Sequence, residues 1–204
     1  MILERIPVGS MQVNCYILAG KPDSRAIIID PGAEARKIRK VLDKYNLTPA
    51  LIINTHGHFD HIGADNQFNI PVYVHKLDAP LLKVASLNMS GLFSLPYTVK
   101  SEIILLEDNQ VIEFDGIRLK VIHTPGHTAG GITLLLQEPE NKIAFTGDTL
   151  FCQGVGRSDL AGGSPAGLVN SIKEKLFTLA DDTQIYPGHG ASSTIGEEKK
   201  NNLI

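Results

Sequence analysis

THGHFDH, residues 55–61, places three of the chain's seven histidines and an aspartate within seven positions. Leu51, Ile52 and Ile53 precede it, and Ile62, Gly63 and Ala64 follow it. An apolar run of that length predicts a buried strand, so the donors fall where a strand ends and the chain turns. Four nitrogen and oxygen donors at one strand end are a candidate metal site.

Three more places have the same arrangement of an apolar run, a glycine turn and a donor: TPGHTAGG (124–131) with His127, FTGDTLF (145–151) with Asp148, and YPGHG (186–190) with His189. Glycine lets the backbone turn sharply beside each donor and keeps bulk away from whatever the donor holds. The total is then seven: His56, His58, Asp60, His61, His127, Asp148 and His189. One catalytic zinc takes three protein ligands and a water, so seven donors suit two ions that share a carboxylate. Imidazole and carboxylate without thiolate fit zinc, and also admit iron or manganese.

The flanking sequence predicts a mixed α/β architecture. Leu3–Val8, Val13–Leu18, Ala26–Asp30 and Ala50–Asn54 read as strands, and 34–45 as a helix with Ile38, Val41, Leu42 and Tyr45 on one face. Val72–His75 and Ile103–Leu106 are further strands, while Ser90–Pro96 has no readable period. Asp115-Gly116 joins Val111–Phe114 to Ile117–Ile122 as a hairpin. Ile132–Leu136 and Lys142–Phe145 pair across Glu138-Pro139-Glu140-Asn141. Residues 165–179 predict a helix with Ser164 as N-cap and Leu168, Ile172, Leu176 and Leu179 in one stripe. Gln184–Tyr186 is a last strand. This order suits two sheets packed face to face with helices outside, a four-layer αββα sandwich formed as one domain over 1–204.

Composition excludes several classes. The 204 residues carry a net charge of −3, 43% hydrophobic and 20% charged residues. No basic run longer than two residues offers an electrostatic footprint for nucleic acid or an anionic membrane. No apolar run approaches the ~18 residues of a membrane span, and the N-terminus lacks a secretory pattern. Cys15 and Cys152 form no CxxC motif, which predicts free thiols in a reducing cytoplasm. The expected partner is a small molecule.

In these motifs the chain resembles the metallo-β-lactamase superfamily, from NCYIL (14–18) and IIIDPG (27–32) to TIGEEKKNN (194–202). Within it the chain is most similar to short glyoxalase II-like hydrolases, through GVGRSDLAGG (154–163) after Asp148. The resemblance implies that His56, His58 and His127 hold one ion, that Asp60, His61 and His189 hold the second, and that Asp148 bridges them. It implies hydrolysis of a thioester such as S-D-lactoylglutathione by a metal-bridged hydroxide, with Asp60 and Asp148 as the catalytic carboxylates. Asp30 would orient a ligand histidine; read from its position alone, it equally suits a helix cap or turn. Arg157 is a candidate substrate contact, or the partner of Asp159 in a loop ion pair. With fifteen residues after His189, the chain is expected to lack the C-terminal helical domain associated with glutathione binding in glyoxalase II proper. Alternatives within the resemblance are a persulfide dioxygenase using one iron at His56, His127 and Asp148, and a lactone hydrolase. A nuclease shares HxHxDH, but the acidic balance opposes it. His75 and His123 are expected to be structural.

Overall fold

The computed structural model describes residues 1–93, 96–138 and 142–204. The chain divides into two compact units, Met1–Leu105 and Leu106–Ile204.

The first unit carries a six-stranded sheet in strictly sequential order. Its strands are β1 (Ile2–Val8), β2 (Val13–Ala19), β3 (Arg25–Ile29), β4 (Thr48–Ile53), β5 (Val72–His75) and β6 (Ile103–Leu106). β1, β2 and β3 are antiparallel neighbours, whereas β3, β4 and β5 run parallel. Ala26, Ile27, Ile28 and Ile29 are all fully buried, which is why β3 reads as an unbroken apolar run rather than an alternating one. Helix α1 (Ala35–Lys44) buries Ala35, Ile38 and Leu42. Val41 and Tyr45 are only partly buried and pack at the margin of the same core. Two short helices, α2 (Phe59–Ile62) and α3 (Ala79–Lys83), follow β4 and β5.

The second unit carries a mixed sheet of β7 (Val111–Phe114), β8 (Ile117–His123), β9 (Ile132–Gln137), β10 (Lys142–Gly147), β13 (Gln184–Pro187) and β14 (Ser193–Thr194), in the order β14-β13-β10-β9-β8-β7. A small ribbon, β11 (Leu150–Phe151) with β12 (Gly154–Val155), follows Asp148. The β7–β8 turn has Asp115 at φ 47° and Gly116 at φ 84°, the doubly positive geometry of a type I′ hairpin. β9 and β10 pair as the sequence predicts, but positions 139–141 of their expected turn lie outside the described residues.

The helix expected over 165–179 is shorter. α4 spans Pro165–Glu174, capped by the Ser164 hydroxyl, which accepts from the Gly167 amide at 3.1 Å. It ends at Lys175, and Leu176–Thr178 continues as one 3-10 turn. The stripe still works, because Leu168, Ile172 and Leu176 pack with Ile185 and Ile195 and Leu179 lies at the edge. A final helix, α5 (Ile195–Asn201), is absent from the pattern reading. Its signal was present: Thr194 and Glu197 have capping-box spacing, and the Glu197 amide donates to the Thr194 hydroxyl at 3.2 Å.

Candidate metal centre

In each unit the donor loops leave the same end of the sheet for a topological reason. β3 and β4 are parallel neighbours, so their C-terminal ends lie side by side, carrying Asp30 and residues 54–61. In the second unit β10 and β13 are parallel, and β8 and β10 are both antiparallel to β9. The C-terminal ends of β8, β10 and β13 therefore share an edge, and they lead into His127, Asp148 and His189. Ligands of open α/β sheets collect at such carboxyl ends.

In the first unit His56, His58 and His61 are buried. The ligating atoms of His56 and His58 lie within 4.8 Å of each other, as do those of His56 and His61 and those of Asp60 and His61. The His56 ring is 4.1 Å from that of His61 and 4.8 Å from that of His58, centre to centre. His58 is the N-cap residue of α2, so Asp60 and His61 leave the helix's first turn.

Asp30 is 1% exposed and has φ 51°. Its Oδ1 accepts the Thr55 amide at 2.7 Å, while Oδ2 accepts the Thr55 hydroxyl at 2.7 Å and His61 Nδ1–H at 3.0 Å. A carboxylate can only accept, so Nδ1 holds the proton and His61 Nε2 keeps its lone pair for a metal. The helix-cap alternative for Asp30 does not apply, since Glu34 occupies the N-cap of α1. Gly32 is where the two strand ends meet: a Cβ there would lie 1.5 Å from the Asp60 carbonyl oxygen.

In the second unit one carboxylate oxygen faces two imidazoles. Asp148 Oδ2 is 3.5 Å from His127 Nε2 and 3.6 Å from His189 Nε2. His127 Nδ1–H donates to the Arg157 carbonyl at 2.7 Å, which again leaves Nε2 as the donor to a metal. Gly156 permits this approach, because a Cβ there would lie 1.8 Å from the Asp148 carbonyl oxygen and 3.3 Å from His127 Nδ1. The Gly188 amide, donating to the Gly147 carbonyl at 2.8 Å, ties the His189 turn to the Asp148 turn.

The Arg157 guanidinium forms a bidentate pair with Asp159, with both bonds at 2.8 Å. The pair is well exposed, and the guanidinium holds the Asp159 carboxyl down at about 2. His123 Nε2 bonds the Ala129 carbonyl oxygen at 2.9 Å, and His75 Nδ1 accepts the Leu77 amide at 3.4 Å, so both serve local loops.

Sequence reading missed Asp78, which is fully buried. Asp78-Ala79-Pro80 looks like a helix cap, yet its carboxylate makes no cap bond to α3. Instead Oδ2 accepts the Gly57 amide at 2.9 Å and holds the turn between His56 and His58. No pattern in the local sequence distinguishes the two uses.

The family model described as the metallo-beta-lactamase superfamily matches residues 8–189, a span that contains all seven donors. The chain belongs to the metallo-beta-lactamase superfamily. Its two-sheet mixed α/β architecture is the fold of that superfamily, and the chain is accordingly a metal-dependent hydrolase. An uncharacterized protein of Mycobacterium tuberculosis is 41% identical, covering 99% of this chain and 96% of its own. The probable metallo-hydrolase YqgX of Bacillus subtilis is 37% identical over 98% of this chain and 95% of its own. The hydroxyacylglutathione hydrolase GloC of Haemophilus influenzae is 35% identical over 99% and 97%. Among solved structures, the BLEG-1 B3 metallo-beta-lactamase superposes with a TM-score of 0.92 at 38% identity, covering 99% of this chain and 98% of its own. TTHA1623, solved in a di-iron-bound form, gives 0.82 at 33%, covering 98% of each chain.

On their chemistry the candidate donors of each unit fit a metal ion: three imidazoles and a carboxylate in the first, two imidazoles and a carboxylate in the second, no thiolate among them, and in each unit one histidine whose Nδ1 proton is already committed elsewhere. Among the described residues no helix is long and apolar enough to cross a membrane.

Proposed function

We propose that the chain is a binuclear thioesterase, cleaving a thioester such as S-D-lactoylglutathione. His56, His58 and His127 would hold one divalent ion, Asp60, His61 and His189 a second, and Asp148 both. The observation that carries this reading is the single Asp148 oxygen lying within 3.6 Å of two imidazole Nε2 atoms, the placement a bridging carboxylate needs. The identity with GloC supports the substrate class. Zinc is the expected metal, and the same donors accept iron or manganese.

When bound, the two ions would lower the pKa of a bound water toward neutrality and polarise the substrate carbonyl. The residues' own part is orientation. Asp30 fixes the His61 tautomer, the Arg157 carbonyl fixes that of His127, and Asp78 holds the Gly57 turn. Asp60, with Oδ2 3.9 Å from His61 Nε2, would serve mainly as a ligand and pass a proton late in the cycle. A thiolate leaves readily, so the reaction needs no strong general acid from the protein.

The substrate is read as a small molecule and the compartment as the cytoplasm, where the free thiols Cys15 and Cys152 would stay reduced. The deciding experiment measures metal per chain in protein purified without added metal or chelator, with S-D-lactoylglutathione hydrolysis assayed on the same sample. About two ions per chain with turnover is the expected result, and His56→Ala should lose both metal and several orders of magnitude in rate. A single iron without turnover would replace this reading with a persulfide dioxygenase.

A further inference from the structure

A cavity of about 240 Å³ opens in the first unit directly beside Asp60. Its walls include Val8 at the end of β1, Ser10 and Met11 in the β1–β2 turn, Val13 at the start of β2, Ala33, Phe59 and Tyr97. Among the described residues Asp60 is the one lining residue with a formal charge, and no Lys, Arg or His lines the cavity.

The Tyr97 hydroxyl accepts the Asn66 amide at 3.0 Å, which anchors that end of the ring. The Phe59 ring is braced by Phe93, with centroids 4.8 Å apart. Val8 and Val13 are almost fully buried and form a fixed floor, whereas Met11 is 47% exposed at the rim. A methionine there can adapt to occupants of different shape.

We propose that this cavity receives the acyl group of the substrate, and that this group is apolar and larger than lactoyl. The inference rests on the thioesterase reading and narrows it. A glutathionyl moiety carries two carboxylates and an ammonium, and among the described lining residues no Lys, Arg or His side chain would pair with the carboxylates, so their burial would be unfavourable. An aliphatic or aryl chain would instead exchange water for Val, Met, Ala, Phe and Tyr surface. Its carbonyl would then lie at the Asp60 end, where the donor turn is. Pockets of this kind fix a ligand by apolar walls and a few polar groups at one end.

The test has two readouts. The first is kcat/KM for glutathione thioesters of D-lactate, acetate, butyrate and hexanoate on metal-replete protein. Each added methylene should raise kcat/KM about fourfold until the cavity is full, at ~0.8 kcal/mol per buried methylene. Hexanoyl should then outrun lactoyl. Ala33→Leu, which fills the cavity from its wall, should flatten the series, and Met11→Ser, at the exposed rim, should weaken it.

The second readout is independent of turnover: titration of neutral hexanamide against protein carrying labelled methionine and valine methyl groups. Shifts at Met11, Val8 and Val13 that vanish in Ala33→Leu support the site. A flat or falling series with lactoyl turnover intact, or no shifts at these methyls, overturns the inference and leaves the thioesterase reading standing. Shifts without hydrolysis of any thioester support an apolar site and overturn the thioesterase reading instead.

Discussion

Asp30 and His61, thirty-one positions apart, meet at 3.0 Å through Oδ2 and Nδ1, with the Thr55 hydroxyl donating to the same oxygen at 2.7 Å. The contact exists because β3 and β4 are parallel neighbours whose ends face the same way. It converts an aspartate after a strand into the group that decides which nitrogen of His61 is available. Asp30→Asn should therefore weaken metal binding by about 10–100-fold, read as chelator competition, with the fold retained by circular dichroism. Unchanged metal affinity would remove Asp30 from the centre.

Gly156→Ala tests the Asp148 loop. The added Cβ, 1.8 Å from the Asp148 carbonyl oxygen, forces backbone to move by about an ångström. A displacement of that size costs about 100-fold in rate when it misplaces catalytic groups. The expected outcome is a folded protein with kcat/KM reduced by about that factor. Full activity would mean that the loop relaxes elsewhere.

Asp65 gives the stability a pH slope. Its carboxyl is fully buried, and burial pushes its pKa well above the usual aspartate range. The Asn54 amide, donating at 3.5 Å, opposes that rise only weakly, and the Asp30 charge adds to it. The folded state thus holds this proton more tightly than the unfolded chain, so its contribution is complete below the unfolded aspartate value of about 3.9 and declines as pH rises toward the raised folded value. Asp65→Asn should flatten the decline in Tm above about pH 4, measured by thermal scans at matched ionic strength. An unchanged slope would assign it to other groups.

The two cysteines should differ sharply toward a thiol reagent. Cys152 is exposed, whereas Cys15 is buried and its thiol is pushed up first by that burial and then by the Asp30 and Asp65 carboxylates. A thiolate is the reacting species. Native protein should release one equivalent of chromophore from Ellman's reagent, and denatured protein two.

Chelation should lower Tm as well as rate. A ligand that binds only the folded state stabilises it by about 2.7 kcal/mol at a hundredfold excess over Kd. Stripping the metals should therefore reduce Tm by several degrees, with recovery when zinc is restored.

The candidate donor positions stand out because each is written locally. THGHFDH, TPGHT, GDT and YPGHG each combine an apolar run, a glycine and a donor, and such a pattern needs no partner to be seen. The hairpin at Asp115-Gly116 and the Ser164 cap were legible for the same reason, since turn and cap chemistry act over a few residues. The end of α4 was not: its apolar stripe runs past Lys175, but the last turn tightens to a 3-10 form while Leu176 stays in the core.

What the sequence by itself determined is therefore the places of seven candidate donors and the alternation of strands and turns that leads to them. Only the tertiary structure decided which groups stand behind His61, His127 and the Gly57 turn. Asp30 reaches His61, Asp78 reaches Gly57, and the Arg157 carbonyl reaches His127 across separations of twenty-one to thirty-one residues. Those contacts depend on strand order and direction, which side-chain periodicity does not encode. A buried aspartate that caps a helix and one that orients a histidine look alike until the sheet has placed their neighbours.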